Sequence, residues 1–80
     1  MKLEIITPAS TLFTGEVSLV QLPGIDGLFE ILKSHAPLVS ALVEGEIVFG
    51  VREGKDGVVP ILSGFAEVTC NHVTACVEVS

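Results

Sequence analysis

Apolar and polar residues alternate along most of this chain. From Lys2 to Thr7, Leu3 and Ile5 share one side and Lys2 and Glu4 the other. From Glu46 to Arg52, Ile47, Phe49 and Val51 share a side opposite Glu46 and Arg52. A period of two predicts strands with one buried face. Between them, Pro8-Ala9-Ser10 interrupts the first strand, and Thr11 to Thr14 is a short extended piece ending at Gly15. Glu16 to Leu22 is the next predicted strand, with Val17 and Leu19 alternating with Glu16 and Ser18. Glu44-Gly45 turns the chain, and Glu53 to Gly57 is a polar hairpin loop. Val58 to Leu62 carries Pro60, which cannot donate to a ladder, so that strand belongs at an edge or carries a bulge. No stretch has a helical period.

The centre, Leu22 to Leu42, is more heavily punctuated. Pro23-Gly24 and Asp26-Gly27 both read as turn pairs, because Pro presets φ and Gly accepts positive φ. Leu28, Phe29, Ile31 and Leu32 form an apolar run too short for a typical helix, hence a strand. His35-Ala36-Pro37 breaks it, since Pro37 removes a donor and pushes Ala36 towards extended geometry. A second run, Leu38 to Val43, follows.

The last hairpin can be written residue by residue. With Asn71-His72 as a two-residue turn, Cys70 pairs with Val73, Val68 with Ala75, and Ala66 with Val77, all on one apolar face. Thr69–Thr74, Glu67–Cys76 and Phe65–Glu78 then share the other, mostly polar face, as in an antiparallel sheet with one wet side. The closely spaced short strands predict an all-β fold, a small antiparallel β-sandwich or flattened barrel of about ten short strands.

Composition narrows the classes. Eighty residues make one domain, 1–80, and a chain of this size buries only about 60 % of its unfolded surface. It is 49 % hydrophobic and 18 % charged, too apolar for disorder. No apolar run approaches the roughly 20 residues of a membrane helix, and Met1-Lys2-Leu3-Glu4 is not the start of a signal peptide. The expectation is a soluble cytoplasmic protein. The net charge is −6 and the four basic residues are scattered, which argues against nucleic-acid binding.

Candidate chemistry is sparse. In the register above, Cys70 points inward and Cys76 outward, roughly 10 Å apart along the strand, beyond disulfide reach. Two reduced thiols are expected. His35, His72, Cys70 and Cys76 match no ligand spacing. His72 reads as an exposed turn residue. His35 either hydrogen-bonds the loop backbone or touches a partner. The ten carboxylates sit in turns or on outward strand positions. Gly24-Ile25-Asp26-Gly27 lacks the phosphate-loop lysine, and no serine has a nucleophile-elbow context. No catalytic, metal or cofactor site is expected. Lys55 at a hairpin tip is reminiscent of lipoyl or biotinyl carrier domains, but Gly54 and Asp56 flank it where those domains carry Met-Lys-Met or Asp-Lys-Ala; the carrier reading is kept as the alternative.

The order of short motifs resembles the N-terminal domain of the ε subunit of F-type ATP synthases (δ in mitochondria). Ile5-Ile6-Thr7-Pro8 matches that family's opening strand and turn. Phe13-Thr14-Gly15-Glu16-Val17, Leu22 to Phe29, and His35-Ala36-Pro37-Leu38 with Ser40 follow in order. Gly64-Phe65-Ala66-Glu67-Val68 and Asn71-His72-Val73-Thr74 complete the match over essentially the whole chain. Glu30-Ile31-Leu32-Lys33-Ser34 replaces the family's Gly-Val-Leu-Pro-Gly, and Ser63-Gly64 replaces Gly-Gly. Members of that family usually continue into a C-terminal helical hairpin, whereas this sequence runs to Ser80; a short form is the expectation, and the hairpin's inhibitory and nucleotide-sensing roles are not carried over.

The resemblance implies a non-catalytic central-stalk subunit, one copy per complex, without a cofactor and without insertion into the membrane. It would lie on the cytoplasmic side of the bacterial inner membrane, holding the γ subunit against the c ring. Thr7 and Ser40 fall at positions that look towards γ. Gly24, Ile25, Asp26, Gly27, Leu28, Glu30 and His35 fall in the loops that face the c ring. Asp26 and Glu30 would offer negative charge to basic loops there. Two placements are open for Leu28: exposed near the tip as a contact, or folded back into the core.

Overall fold

A computed structural model describes residues 1–33, 36–51 and 57–80. Nine strands are present among them: β1 (Lys2–Ile6), β2 (Thr11–Glu16), β3 (Leu19–Gly24), β4 (Gly27–Leu32), β5 (Leu38–Leu42), β6 (Gly45–Gly50), β7 (Gly57–Ile61), β8 (Ser63–Thr69) and β9 (His72–Glu78). They form one curled sheet in the order β2-β1-β9-β8-β5-β3-β6-β7, with β4 attached to β3. The curl divides it into two layers, β2-β1-β9-β8-β5 and β4-β3-β6-β7. They are joined through one residue pair, Gly24 opposite Leu42. Two backbone bonds close that junction, Ile25 N–H to the Ala41 carbonyl at 3.0 Å and Val43 N–H to the Pro23 carbonyl at 2.9 Å.

The inner faces of both layers build one core. Leu3, Ile5, Ala66, Val73 and Ala75 come from the first layer, and Val20, Leu22, Ile31 and Ile47 from the second, each at 0 % exposure. Phe13 on β2 meets Phe49 on β6 with ring centroids 4.2 Å apart, a tilted pair that ties one layer to the other. The all-β expectation and the inward placing of Leu3, Ile5, Ile47 and Phe49 hold, but Val51, expected on the side of Ile47 and Phe49, lies past the end of β6 and is exposed. Pro60 lies on β7, which pairs only with β6 at the end of the sheet, where a missing donor does no harm.

Other features differ from the sequence expectation as well. The sheet is not wholly antiparallel: β1 and β9 run parallel, Leu3 opposite Val73 and Ile5 opposite Ala75. The predicted strand Glu16 to Leu22 is split, because β2 continues to Glu16 and the chain turns at Val17-Ser18, where both Ser18 N–H and its hydroxyl donate to the Gly50 carbonyl. The turn changes the phase, so Val20 and Leu22 face inward and Leu19 does not.

Pro23-Gly24 is the end of β3 rather than a turn. The turn is Ile25-Asp26, between the opposed residues Gly24 and Gly27. Pro23 fits a strand here because the far side of β3 pairs with β6 only as far as Gln21 and with β5 only at Gly24, so no ladder bond is lost. The last hairpin turns at Cys70-Asn71, with Thr69 opposite His72, Val68 opposite Val73 and Ala66 opposite Ala75. Asn71 takes the left-handed position at φ 55°, which its short amide tolerates. Moving the turn by one residue moves each partner by two, so the buried face survives. Cys70, however, is exposed in the turn rather than inward. It and Cys76 are free thiols.

Candidate functional site

The β3–β4 hairpin owes its shape to a two-residue loop. Gly27 follows it at φ 122°, a conformation closed to side-chain-bearing residues. The loop leaves two large apolar side chains in water: Ile25 is 64 % exposed and Leu28 68 %. Of the two placements open for Leu28, the exposed one is found. Phe29 turns the other way and packs against the core. On one side of the hairpin, a cavity of about 300 Å³ is lined by Asp26, Leu28, Phe29, Glu30, Leu38 and Ser40, with Gly24 and Gly27 beneath them. Ser40 and the hairpin residues are therefore neighbours, although the resemblance assigns them to different partners. The Ser40 hydroxyl donates to the Ala41 carbonyl at 3.0 Å. His35 and Lys55 lie outside the described residues.

Thr7 is elsewhere, at the end of β1. Its hydroxyl accepts from the N–H groups of Ala9 and Ser10, at 3.2 and 3.0 Å, and closes the turn into β2. Beside it, the outward side of the first layer carries a row in register: Ile6, Cys76, Phe65 and Ala41, one from each of β1, β9, β8 and β5. Phe65 is 64 % exposed, and Val39 on the same side is 72 % exposed. Val39 sits in the next row, whose other members Glu67, Thr74 and Glu4 are polar, so the apolar strip is one row wide with Val39 beside it.

The structure also adds residues that the sequence reading set aside as solvated. Across the hairpin from Ser40, a groove of about 440 Å³ runs between β3–β4 and the β5–β6 corner, lined by Gln21, Pro23, Leu28, Val43, Glu44 and Val48, with Glu46 on its edge. The signal for it was the pair of acids flanking Gly45, next to the apolar Val43. Asp26, Glu30, Glu44 and Glu46 are all exposed. None of them is in an ion pair among the described residues; the ion pairs there involve Glu4 and Glu16. No group of three potential metal ligands occurs among the described residues, and no helix of the structure is long and apolar enough to cross a membrane.

Fold and surface together define a small β-sandwich with exposed apolar side chains and acids side by side around the β3–β4 hairpin. The family described as the β-sandwich domain of ATP synthase delta/epsilon chains matches residues 1–79, and the chain belongs to that family. It is 42 % identical over 77 residues to the ATP synthase epsilon chain of Chlorobium limicola, covering 96 % of this chain and 88 % of that one. The epsilon chain of Chlorobaculum tepidum is 38 % identical, with 95 % and 86 % covered. That of Sulfurovum sp. is 42 % identical over 98 % of this chain, but only 61 % of its own length is matched. Among solved structures, the central stalk and c ring of Tetrahymena thermophila mitochondrial ATP synthase contains a chain with a TM-score of 0.82 at 14 % identity, covering 98 % of this chain and 63 % of that one. A chain of the Euglena gracilis mitochondrial enzyme reaches 0.85 at 22 % identity, with 94 % and 48 % covered. These two likenesses show the fold. The relatives favour the stalk reading over a carrier domain modified at Lys55.

Proposed function

We propose that this chain is the ε-type subunit of a bacterial F-type ATP synthase. It is a non-catalytic part of the rotor, one copy per complex, peripheral on the cytoplasmic side of the inner membrane. It holds the γ shaft to the c ring and transmits torque between them without touching nucleotide. The observation that carries this is the match over residues 1–79, with 88 % of the Chlorobium limicola epsilon chain covered. The exposed apolar residues agree with it, since an outer face bearing Phe65 and Val39 is better accounted for by a protein partner than by water. In this reading Thr7 and Ser40 look towards γ. The loop of Gly24, Ile25, Asp26, Gly27 and Leu28, with Glu30 and His35, meets the ring. Its rigidity limits the entropy lost on docking.

The test is co-purification. The tagged chain, expressed in cells that contain the whole enzyme, is expected to bring down α, β, γ and c subunits in detergent. Recovery of the intact enzyme without the chain would reject the reading. A lipoyl or biotinyl mass increment on Lys55 would favour the carrier alternative.

A further inference from the structure

The groove on the far side of the hairpin is built as carefully as the hairpin itself. Its two walls are one rigid unit, held by the Ile25–Ala41 and Val43–Pro23 backbone bonds. Gly45 lies so close under Pro23 that a Cβ there would stand 2.8 Å from the proline Cβ. Leu28 lines both this groove and the cavity beside Ser40, so the groove continues the surface that the proposed function turns towards the ring. Its lining is apolar at Pro23, Val43 and Val48, and it also carries Glu44 and Glu46, which have no ion pair among the described residues.

That combination selects the occupant by charge. An apolar segment alone would desolvate two carboxylates without compensation. A second copy of this chain would bring a net charge of −6 against −6, which opposes self-association. A segment with an apolar side chain flanked by Lys or Arg satisfies both the apolar lining and the acids. We propose that the groove between β3–β4 and the β5–β6 corner is a second docking subsite, and that it takes a basic, apolar-bearing loop of the ring subunit. This rests on the stalk reading and extends it to Val43, Glu44, Glu46 and Val48.

The experiment has two arms, both in assembled complexes. In the first, the photoreactive residue p-benzoylphenylalanine replaces Val48, and cross-linked products are identified by mass. A cross-link to the ring subunit is expected. In the second, membranes carrying Glu44→Gln/Glu46→Gln or Glu44→Lys/Glu46→Lys are washed with salt, and release of the chain is timed against the wild type. The neutral variant should leave about two- to fivefold faster, the size of one or two exposed charge pairs. The reversed variant should leave faster still. Unchanged urea midpoints keep the comparison free of misfolding. A cross-link to γ alone or to nothing, or unchanged release of the reversed variant while Leu28→Asp accelerates it, overturns the subsite and leaves the stalk reading standing. If the wild-type chain is itself never retained with the ring, the stalk reading fails and the subsite with it.

Discussion

Leu28 and Val73 hold equivalent places in two hairpins. Each is the second residue after a two-residue turn, Ile25-Asp26 in one and Cys70-Asn71 in the other. Yet Leu28 is 68 % exposed and Val73 is fully buried. The two loops have the same length, although the positive φ falls within one turn, at Asn71, and after the other, at Gly27; the larger difference is in the neighbours. The β8–β9 hairpin is flanked by β5 on one side and β1 on the other, and its inner face closes the core. In the other hairpin, β4 pairs only with β3, and its tip projects past the junction of the two layers. One hairpin is scaffold. The other leaves Ile25 and Leu28 exposed, and it borders both hollows described above.

The same substitution should have opposite consequences in the two hairpins. Val73→Asp should abolish folding, because an unpaired carboxylate in the core costs several kcal/mol against a total stability of about 5–15 kcal/mol. Leu28→Asp should change stability by less than about 0.5 kcal/mol. Circular dichroism with urea titration distinguishes them; comparable losses at the two sites would remove the distinction.

Gly45→Ala comes next. The clash with Pro23 should lower stability by about 1–3 kcal/mol, and the same urea titration reads it. No loss would mean that corner and hairpin are not locked together. The turns themselves follow: Asn71→Val should cost about 1–2 kcal/mol, because a branched side chain disfavours the left-handed region. Asn71→Gly should stay close to wild type. The smallest effect expected is at Glu4, whose carboxylate lies 3.2 Å from His72 Nε2 and 3.6 Å from Lys2 Nζ on the outside of the parallel β1–β9 pair. The histidine contact has ion-pair distance without hydrogen-bond alignment. Being partly exposed, the cluster should lose less than about 1 kcal/mol in Glu4→Gln.

The two hairpins also mark where sequence reasoning succeeds. In β8–β9, alternation placed Ala66, Val68, Val73, Ala75 and Val77 on the buried face even with the turn set one residue late, because the shift preserves parity. What alternation cannot supply is the identity of the turn pair, which rested on the tolerance of Asn71 for positive φ. In β3–β4 the punctuation misled. Pro23-Gly24 has turn chemistry, and only the gap between the β6 and β5 pairings, a tertiary fact, makes a strand end of it. The parallel β1–β9 pair joins residues from opposite ends of the chain, and no local pattern announces it. At the β3–β4 tip, the projecting loop was legible from the Asp26-Gly27 pair, while Leu28 stayed open between an exposed and a core placement until the fold exposed it. Glu44 and Glu46 read as solvated acids beside Gly45, because they border a groove only once the β3–β4 hairpin lies beside them.

In the proposed function, the β3–β4 tip carries the coupling contact to the ring. The most direct measurement is ATP-driven proton pumping per ATP hydrolysed, in membrane vesicles carrying the Leu28→Asp/Asp26→Lys double variant. The isolated variant is expected to stay folded by circular dichroism. The assembled enzyme should hydrolyse ATP while pumping fewer protons for each ATP than the wild type. A folded variant whose enzyme pumps with the wild-type proton yield would contradict the claim.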